Sequence, residues 1–376
     1  METLKRYLQQ GAAQVSASVD SYLEQEHQRD IIAKIGQQLT ADEVLEHPEF
    51  PHVNWELKPD KKEKINVASG RGGPFKLAYE LHGRGPKKII WIMGLGGLKT
   101  TWQRQTKDFG HEQADKYTCL VFDNRGIGES DVPILRYTTS EMAKDVVELL
   151  DHVGWTDPRS VHVVGISMGG MIAQELAILI PQRICSLNFI STAPRVVRTL
   201  PYFDNLRNRI NLLWPKPIDS QINKVKADCY SAAWLQSPDD TEFVVKPFPT
   251  NGDRFAAGEL SKRMNPSAFP KAGFICQLYA AGFHHKSPQQ LAQLADAVGR
   301  ERIMVLHGTG DHMLDFVHGK MLLEDLGGEE RGVTKSFHEG MGHVAPFEIR
   351  KEFKRIIEGR VERTEGFGGG SSMRGG

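Results

Sequence analysis

The chain has few cysteines and no net charge, and it lacks any apolar run long enough to cross a bilayer. Its four cysteines, Cys119, Cys185, Cys229 and Cys276, lie far apart, with no CxxC pair and no histidine at metal spacing. That excludes a disulfide framework and a structural zinc site. Cys119 and Cys185 fall in or beside apolar strand-like runs, so buried free thiols in a reducing compartment are expected. Basic and acidic residues balance at 47 each, without the basic excess that a nucleic-acid-binding face carries. No apolar stretch reaches the roughly 18 to 20 residues of a membrane span, and no apolar core of a secretory signal lies near the N-terminus. Residues 3–19 contain no acid, and Leu4, Leu8, Val15 and Val19 fit one helical face. This weakly resembles an organellar presequence. The expected address is cytoplasmic, with a mitochondrial address or membrane-peripheral attachment through that helix as the alternative.

What the chain does have is the patterning of a folded α/β protein. With 376 residues, 40% hydrophobic and 25% charged, it is long enough for one large domain with an insertion. Residues 1–64 are polar and helix-leaning and end in a charged stretch, "KPDKKEK", which reads as an extension and linker. Over 65–194, apolar runs such as "KKIIWIMG", "YTCLVFDNRG", "SVHVVGIS" and "ICSLNFISTAP" alternate with amphipathic segments. Continuous apolar strands separated by helices predict a mostly parallel sheet covered on both faces. Residues 195–290 break the pattern with prolines and aromatics, as a helical lid over an apolar pocket does. The alternation resumes over 291–362, and the glycine-rich 363–376 reads as a flexible tail. No repeat is visible.

The chemistry centres on "GISMGG". Ser167 stands between Gly165 and Gly169, with a strand-like run before it and a helix-like run after it. A GxSxG turn of this kind holds a serine on a strained strand-to-helix bend, where side chains two residues either side would clash. A serine hydroxyl needs a histidine base oriented by a carboxylate, and functional groups in α/β sheets gather at the carboxyl ends of strands. His343, in "HEGMGHVAPF", follows the strand-like "VTKSF"; His338 is the second candidate there, and His162 reads as a buried strand histidine. Asp311 ends "RIMVLHGTGD", and no acid occurs between Ser186 and Leu200 to compete with it. Asp315 begins or caps the next segment. The oxyanion formed on acyl attack needs backbone N–H donors. Met168, after the serine, supplies one; Leu95, in the turn "MGLGGLKTTW" with Gly94, Gly96 and Gly97, supplies the other. That turn lacks the spacing of a phosphate loop. No cofactor and no metal are called for.

Taken together, "MGLGG", "DNRGIGES", "GISMGG", "HGTGD" and "GMGH", in this order over roughly residues 65–360, resemble the α/β-hydrolase fold superfamily, in its lidded serine-hydrolase, esterase- or lipase-like branch. The resemblance implies that Asp123, Arg125 and Asp145 brace the loop around the serine and that Ser130 is no rival nucleophile. Epoxide hydrolases and haloalkane dehalogenases of this fold carry aspartate at the elbow, which Ser167 excludes; hydroxynitrile lyases and carbon–carbon bond hydrolases keep the serine. Two departures stand out: Met93 occupies a position where many relatives have histidine, and the N-terminal extension and tail lie outside the family's minimal core. The function implied is hydrolysis of a small-molecule or lipid-like carboxylic ester or thioester. The alternatives are acyl transfer on the same scaffold, or ligand binding or signalling by a hydrolase fold. The spacing of His307 and Asp311 does not match an HxxxxD acyltransferase signature.

Overall fold

In a computed structural model of the chain, residues 31–197, 217–242 and 245–367 are described. The presequence-like helix at residues 3–19 and most of the tail, from 368 on, lie outside them. Eight strands form one sheet: β1 (Lys61–Val67), β2 (Phe75–His82), β3 (Lys87–Ile92), β4 (Tyr117–Phe122), β5 (Val161–Ile166), β6 (Ile184–Ile190), β7 (Ile303–Gly308) and β8 (Thr334–His338). Their spatial order is β1-β2-β4-β3-β5-β6-β7-β8. The first two pair antiparallel at one edge, and β4 onward run parallel. Every residue of β5, β6 and β7 is buried, as expected for parallel strands covered on both faces.

Helices labelled in chain order are α1 (Ala41–Glu46), α2 (Gln103–Gly110), α3 (Thr139–His152), α4 (Met168–Leu179), α5 (Ile218–Cys229), α6 (Ala232–Gln236), α7 (Asn251–Arg263), α8 (Lys271–Gly282), α9 (Pro288–Val298), α10 (Val317–Asp325), α11 (Ala345–Glu348) and α12 (Arg350–Gly366). Alternate strand residues face opposite layers. Ile90, Ile92, Val163 and Val305 pack with Val146, Leu149, Ile172 and Leu294 of α3, α4 and α9. Ile89, Trp91, Val164 and Met304 pack with Phe109, Phe353 and Ile357 of α2 and α12. This three-layer sandwich holds the carboxyl ends of β5 to β8 at one edge of the sheet.

Three sequence boundaries shift. The charged stretch read as a linker runs directly into β1, where Lys62, Glu63 and Lys64 point outward while Ile65 and Val67 are buried. The last helix continues to Gly366, past the expected end at 362, because Arg302 Nη1 donates to Thr364 O at 2.9 Å and ties its final turn to the core. The N-terminal segment belongs physically with the insertion between β6 and β7. Leu39 N–H donates to Asp253 at 2.8 Å, Ala41 N–H donates to Asp219 at 2.8 Å, and Glu49 pairs with Arg254 at 3.2 Å. Val44 and Val53 join Ile222, Phe248 and Leu260 in one apolar cluster.

Candidate active site

The turn between β5 and α4 places Ser167 at φ 56° and ψ −124°, a conformation that costs a non-glycine residue about 1–3 kcal/mol. Its surroundings fix it. Ser167 N–H donates to Ile190 O at 3.0 Å, and Thr192 Oγ1 donates to Ser167 O at 2.6 Å. The flanking glycines are required by close approach: a Cβ on Gly165 would lie 2.4 Å from Gly169 O, and one on Gly169 would lie 2.1 Å from Ile92 O. Gly169→Ala is therefore expected to lower stability by about 3 kcal/mol, seen as a fall in thermal midpoint, and to push β3 away from the serine. A variant as stable as the parent would show that this packing is looser than described.

The turn after β3 runs beside the serine side chain. A Cβ on Gly94 would sit 3.0 Å from Ser167 Cβ and 3.6 Å from its Oγ. Gly96, at φ 66°, donates its N–H to Gln277 Oε1 at 3.0 Å, which occupies that donor and leaves Leu95 as the N–H between two fixed glycines. Met168 is the first residue of α4, where N–H groups lack partners within their own helix. Met93 O accepts from Asn124 Nδ2 at 3.0 Å, so the residue standing in place of a family histidine holds the turn through its backbone.

Beyond β7 and β8, at the same edge of the sheet, Asp311 and His343 meet. His343 Nδ1 lies 2.7 Å from Asp311 Oδ2, and both residues are buried. The other carboxylate oxygen, Oδ1, accepts from the N–H groups of Met313 and Leu314 at 2.9 and 2.8 Å. Burial pushes the Asp311 carboxyl up, but the charge of His343 and the hydrogen bonds from His307 and His343 outweigh it and hold it well below the usual range. Because an ionised carboxylate only accepts, Nδ1 of His343 carries the hydrogen in this contact, and Nε2 is the ring nitrogen left on the side away from Asp311. The loop is held from the backbone as well, since His343 N–H donates to Cys229 O at 2.7 Å.

The other candidates fall elsewhere. His338 ends β8 with its Nε2 2.9 Å from Ser336 Oγ. His162 is buried in β5, its Nδ1 2.9 Å from Ser186 Oγ. Asp315 O accepts from His318 N–H at 2.9 Å, a turn leading into α10. Asp123 accepts from Lys99 N–H at 2.7 Å and from Lys99 Nζ at 2.9 Å, while Arg125 and Asp145 form a two-pronged pair at 2.6 Å. Ser130 Oγ donates to Asp123 O at 2.6 Å and accepts from Ala78 N–H at 2.9 Å, so it is structural.

Two participants were invisible in the sequence. His307 Nε2 lies 3.1 Å from Asp311 Oδ2 and 2.9 Å from Leu314 O, a second donor onto the same carboxylate. Glu348 accepts from Gly342 N–H at 3.0 Å and from Ser231 Oγ at 2.5 Å, joining the His343 loop to the insertion. The periodicity and motifs carry no signal for either contact. Among the described residues no cluster of three or more His, Cys, Asp or Glu side chains fits a metal ion.

A parallel-rich eight-stranded sheet with helices on both faces and a serine at a strand-to-helix elbow defines the α/β-hydrolase class. The family model of the alpha/beta hydrolase fold matches residues 89–326, more than half of the chain, and the chain belongs to that family. It is similar to a Mycobacterium tuberculosis protein named as the non-heme bromoperoxidase BpoC, 36% identical over 129 residues, 34% of this chain and 46% of that one. It is also similar to 3-oxoadipate enol-lactonase 2 of Acinetobacter baylyi, 34% identical over 121 residues, 32% of this chain and 43% of the enzyme. The chain thus spans less than half the length of these curated relatives. Among solved structures, a thermophilic esterase from Thermogutta terrifontis superposes with a TM-score of 0.62 at 20% identity, covering 81% of this chain and 99% of the esterase. That likeness concerns the fold.

Proposed function

We propose that the chain is a serine hydrolase of carboxylic esters or thioesters that carry an apolar acyl or alcohol group. The observation that carries this reading is the 2.7 Å His343–Asp311 pair, at the same sheet edge as a strained Ser167 whose side chain abuts Gly94. Ser167 Oγ attacks the ester carbonyl and its proton passes to His343 Nε2, while Asp311 steadies the imidazolium. The carbonyl oxygen becomes an oxyanion held by the Leu95 and Met168 N–H groups. Collapse of the tetrahedral adduct expels the alcohol, which takes the proton from His343. Water, deprotonated by the same histidine, then attacks the acyl-enzyme and frees the acid and Ser167.

The insertion between β6 and β7 serves as the lid in this reading. Phe269 and Phe274, 5.5 Å apart, approach Gly96 to within 3.1 Å of where a Cβ would stand, which supports an apolar substrate group beside the oxyanion turn. The cysteines are all free and no described helix is long and apolar enough to cross a membrane; the first supports a reducing compartment such as the cytoplasm.

A series of p-nitrophenyl esters of increasing chain length tests the reading. A burst of p-nitrophenol, about one per chain, followed by steady release of free acid is the expected course, because an acyl-enzyme accumulates before water cleaves it. Added alcohol that diverts the whole acyl group into a new ester would assign transfer instead. Saturable binding with no turnover would assign a ligand-binding role.

A further inference from the structure

Helix α8 has one face pinned to the core and another whose large apolar side chains stay exposed among the described residues. On the inner side the backbone at Gly273 approaches the loop after β4 so closely that a Cβ would lie 1.7 Å from Gly126 O. Gln277 accepts from Gly96 N–H at 3.0 Å and donates to Arg125 O at 2.8 Å, and Gly128 N–H donates to Ala268 O at 2.7 Å. The helix therefore cannot turn its outer side inward without breaking its hold on the oxyanion turn.

On that outer side Lys271, Ile275, Tyr279 and Phe283 follow one another at four-residue spacing, which stacks them along one helical face. Ile275 is 50% exposed, Tyr279 42% and Phe283 67%, and the two rings stack at 4.2 Å. Arg136 lies over the Tyr279 ring at 5.6 Å, and Ile134, two residues before it in the chain, is 76% exposed. Single exposed apolar side chains are ordinary, whereas a contiguous apolar patch marks an interaction surface.

The chemistry of the patch selects its partner. Residues 271–286, "KAGFICQLYAAGFHHK", contain no acid, and the apolar stripe carries Lys271 at one end and Arg136 across its middle. Aromatic and aliphatic side chains flanked by basic ones suit the boundary between acyl chains and anionic headgroups. A second copy docking through this face would bring these cations together with no carboxylate on the helix to meet them, which like-charge repulsion opposes.

We propose that the outer face of α8, together with Ile134 and Arg136, seats the protein on an anionic lipid surface. The oxyanion turn then lies about one helix diameter, roughly 10 Å, from that surface, and the site draws lipid-borne esters from it. Docking stands on the patch alone; the choice of substrate rests on the serine-hydrolase reading.

The two are separated by measuring docking on full-length Ser167→Ala protein, by flotation with vesicles of phosphatidylcholine alone or mixed with about one-third phosphatidylserine. Flotation with the anionic vesicles, weakened by salt, is expected. Adding Ile275→Glu and Phe283→Glu is expected to reduce it about tenfold or more, while the same pair in the Ser167 protein leaves hydrolysis of a soluble short-chain ester unchanged. Should that pair disturb folding, Lys271→Gln with Arg136→Gln provides a second reading: the preference for anionic vesicles is lost. Absence of flotation with either vesicle, or equal flotation with and without the apolar pair, overturns the proposal. So does a concentration-dependent dimer that the apolar pair abolishes, because a second copy would then cover the face.

Discussion

Ser167→Ala is expected to lower kcat for ester hydrolysis by about 10^6-fold with little change in thermal midpoint. Alanine meets the same backbone constraint as serine at φ 56°, and the bonds that fix the turn use the Ser167 N–H and carbonyl rather than its hydroxyl. What disappears is the attacking oxygen. Met168 and Leu95 keep their N–H groups, so the variant retains substrate binding and the residual acceleration that oxyanion donors and positioning give without a nucleophile. Ser130 does not replace it, being buried and bonded at both its donor and acceptor sides. Steady-state kinetics on the ester that gives the largest burst, with circular dichroism melting as the folding control, measures the effect. An unchanged rate would remove Ser167 from the mechanism.

Asp311→Asn acts through hydrogen-bond polarity, with the volume of the side chain hardly changed. The carboxylate accepts two backbone N–H groups on one oxygen and faces two histidines with the other. An asparagine oriented to keep the Met313 and Leu314 bonds turns its NH2 toward His343 Nδ1. That nitrogen must then accept, the ring hydrogen moves to Nε2, and the base has no lone pair left for the serine proton. A fall of about 10^4-fold in kcat is expected, with KM nearly unchanged because substrate contacts survive. The amide also faces His307 Nε2, which already donates to Leu314 O, so a stability loss of about 1–3 kcal/mol accompanies it. A loss of less than tenfold in kcat would mean that another group orients His343.

The legible parts of this molecule are those that local physics dictates. The buried parallel strands β5, β6 and β7 read directly as unbroken apolar runs, and the glycines around Ser167 announce a turn in which no Cβ fits. Asp311 and His343 could be placed because each follows a strand, on the edge where Ser167 also stands. The strand β1 was hidden because it is an edge strand paired only with β2, and its outward lysines and glutamate, which guard such an edge, look like a solvated linker. Contacts between distant segments left no trace. Leu39 finds Asp253 across 214 positions, and neither periodicity nor composition reveals that an N-terminal segment will pack on the insertion. The same holds for His307, whose strand position reads as core although its ring reaches the Asp311 carboxylate, and for Glu348, whose bridge between Gly342 and Ser231 needs a short helix and two loops in place.

Labelling of the folded protein with a fluorophosphonate, followed by peptide mapping, bears most directly on the central claim. The phosphonate phosphorus stands in for the ester carbonyl carbon and traps only a serine whose proton is withdrawn by a neighbouring base. The expected result is a single adduct on Ser167, lost in Ser167→Ala and strongly slowed in Asp311→Asn. An adduct on a different residue, or none in a protein that melts cooperatively, would contradict the assignment of Ser167 as the nucleophile.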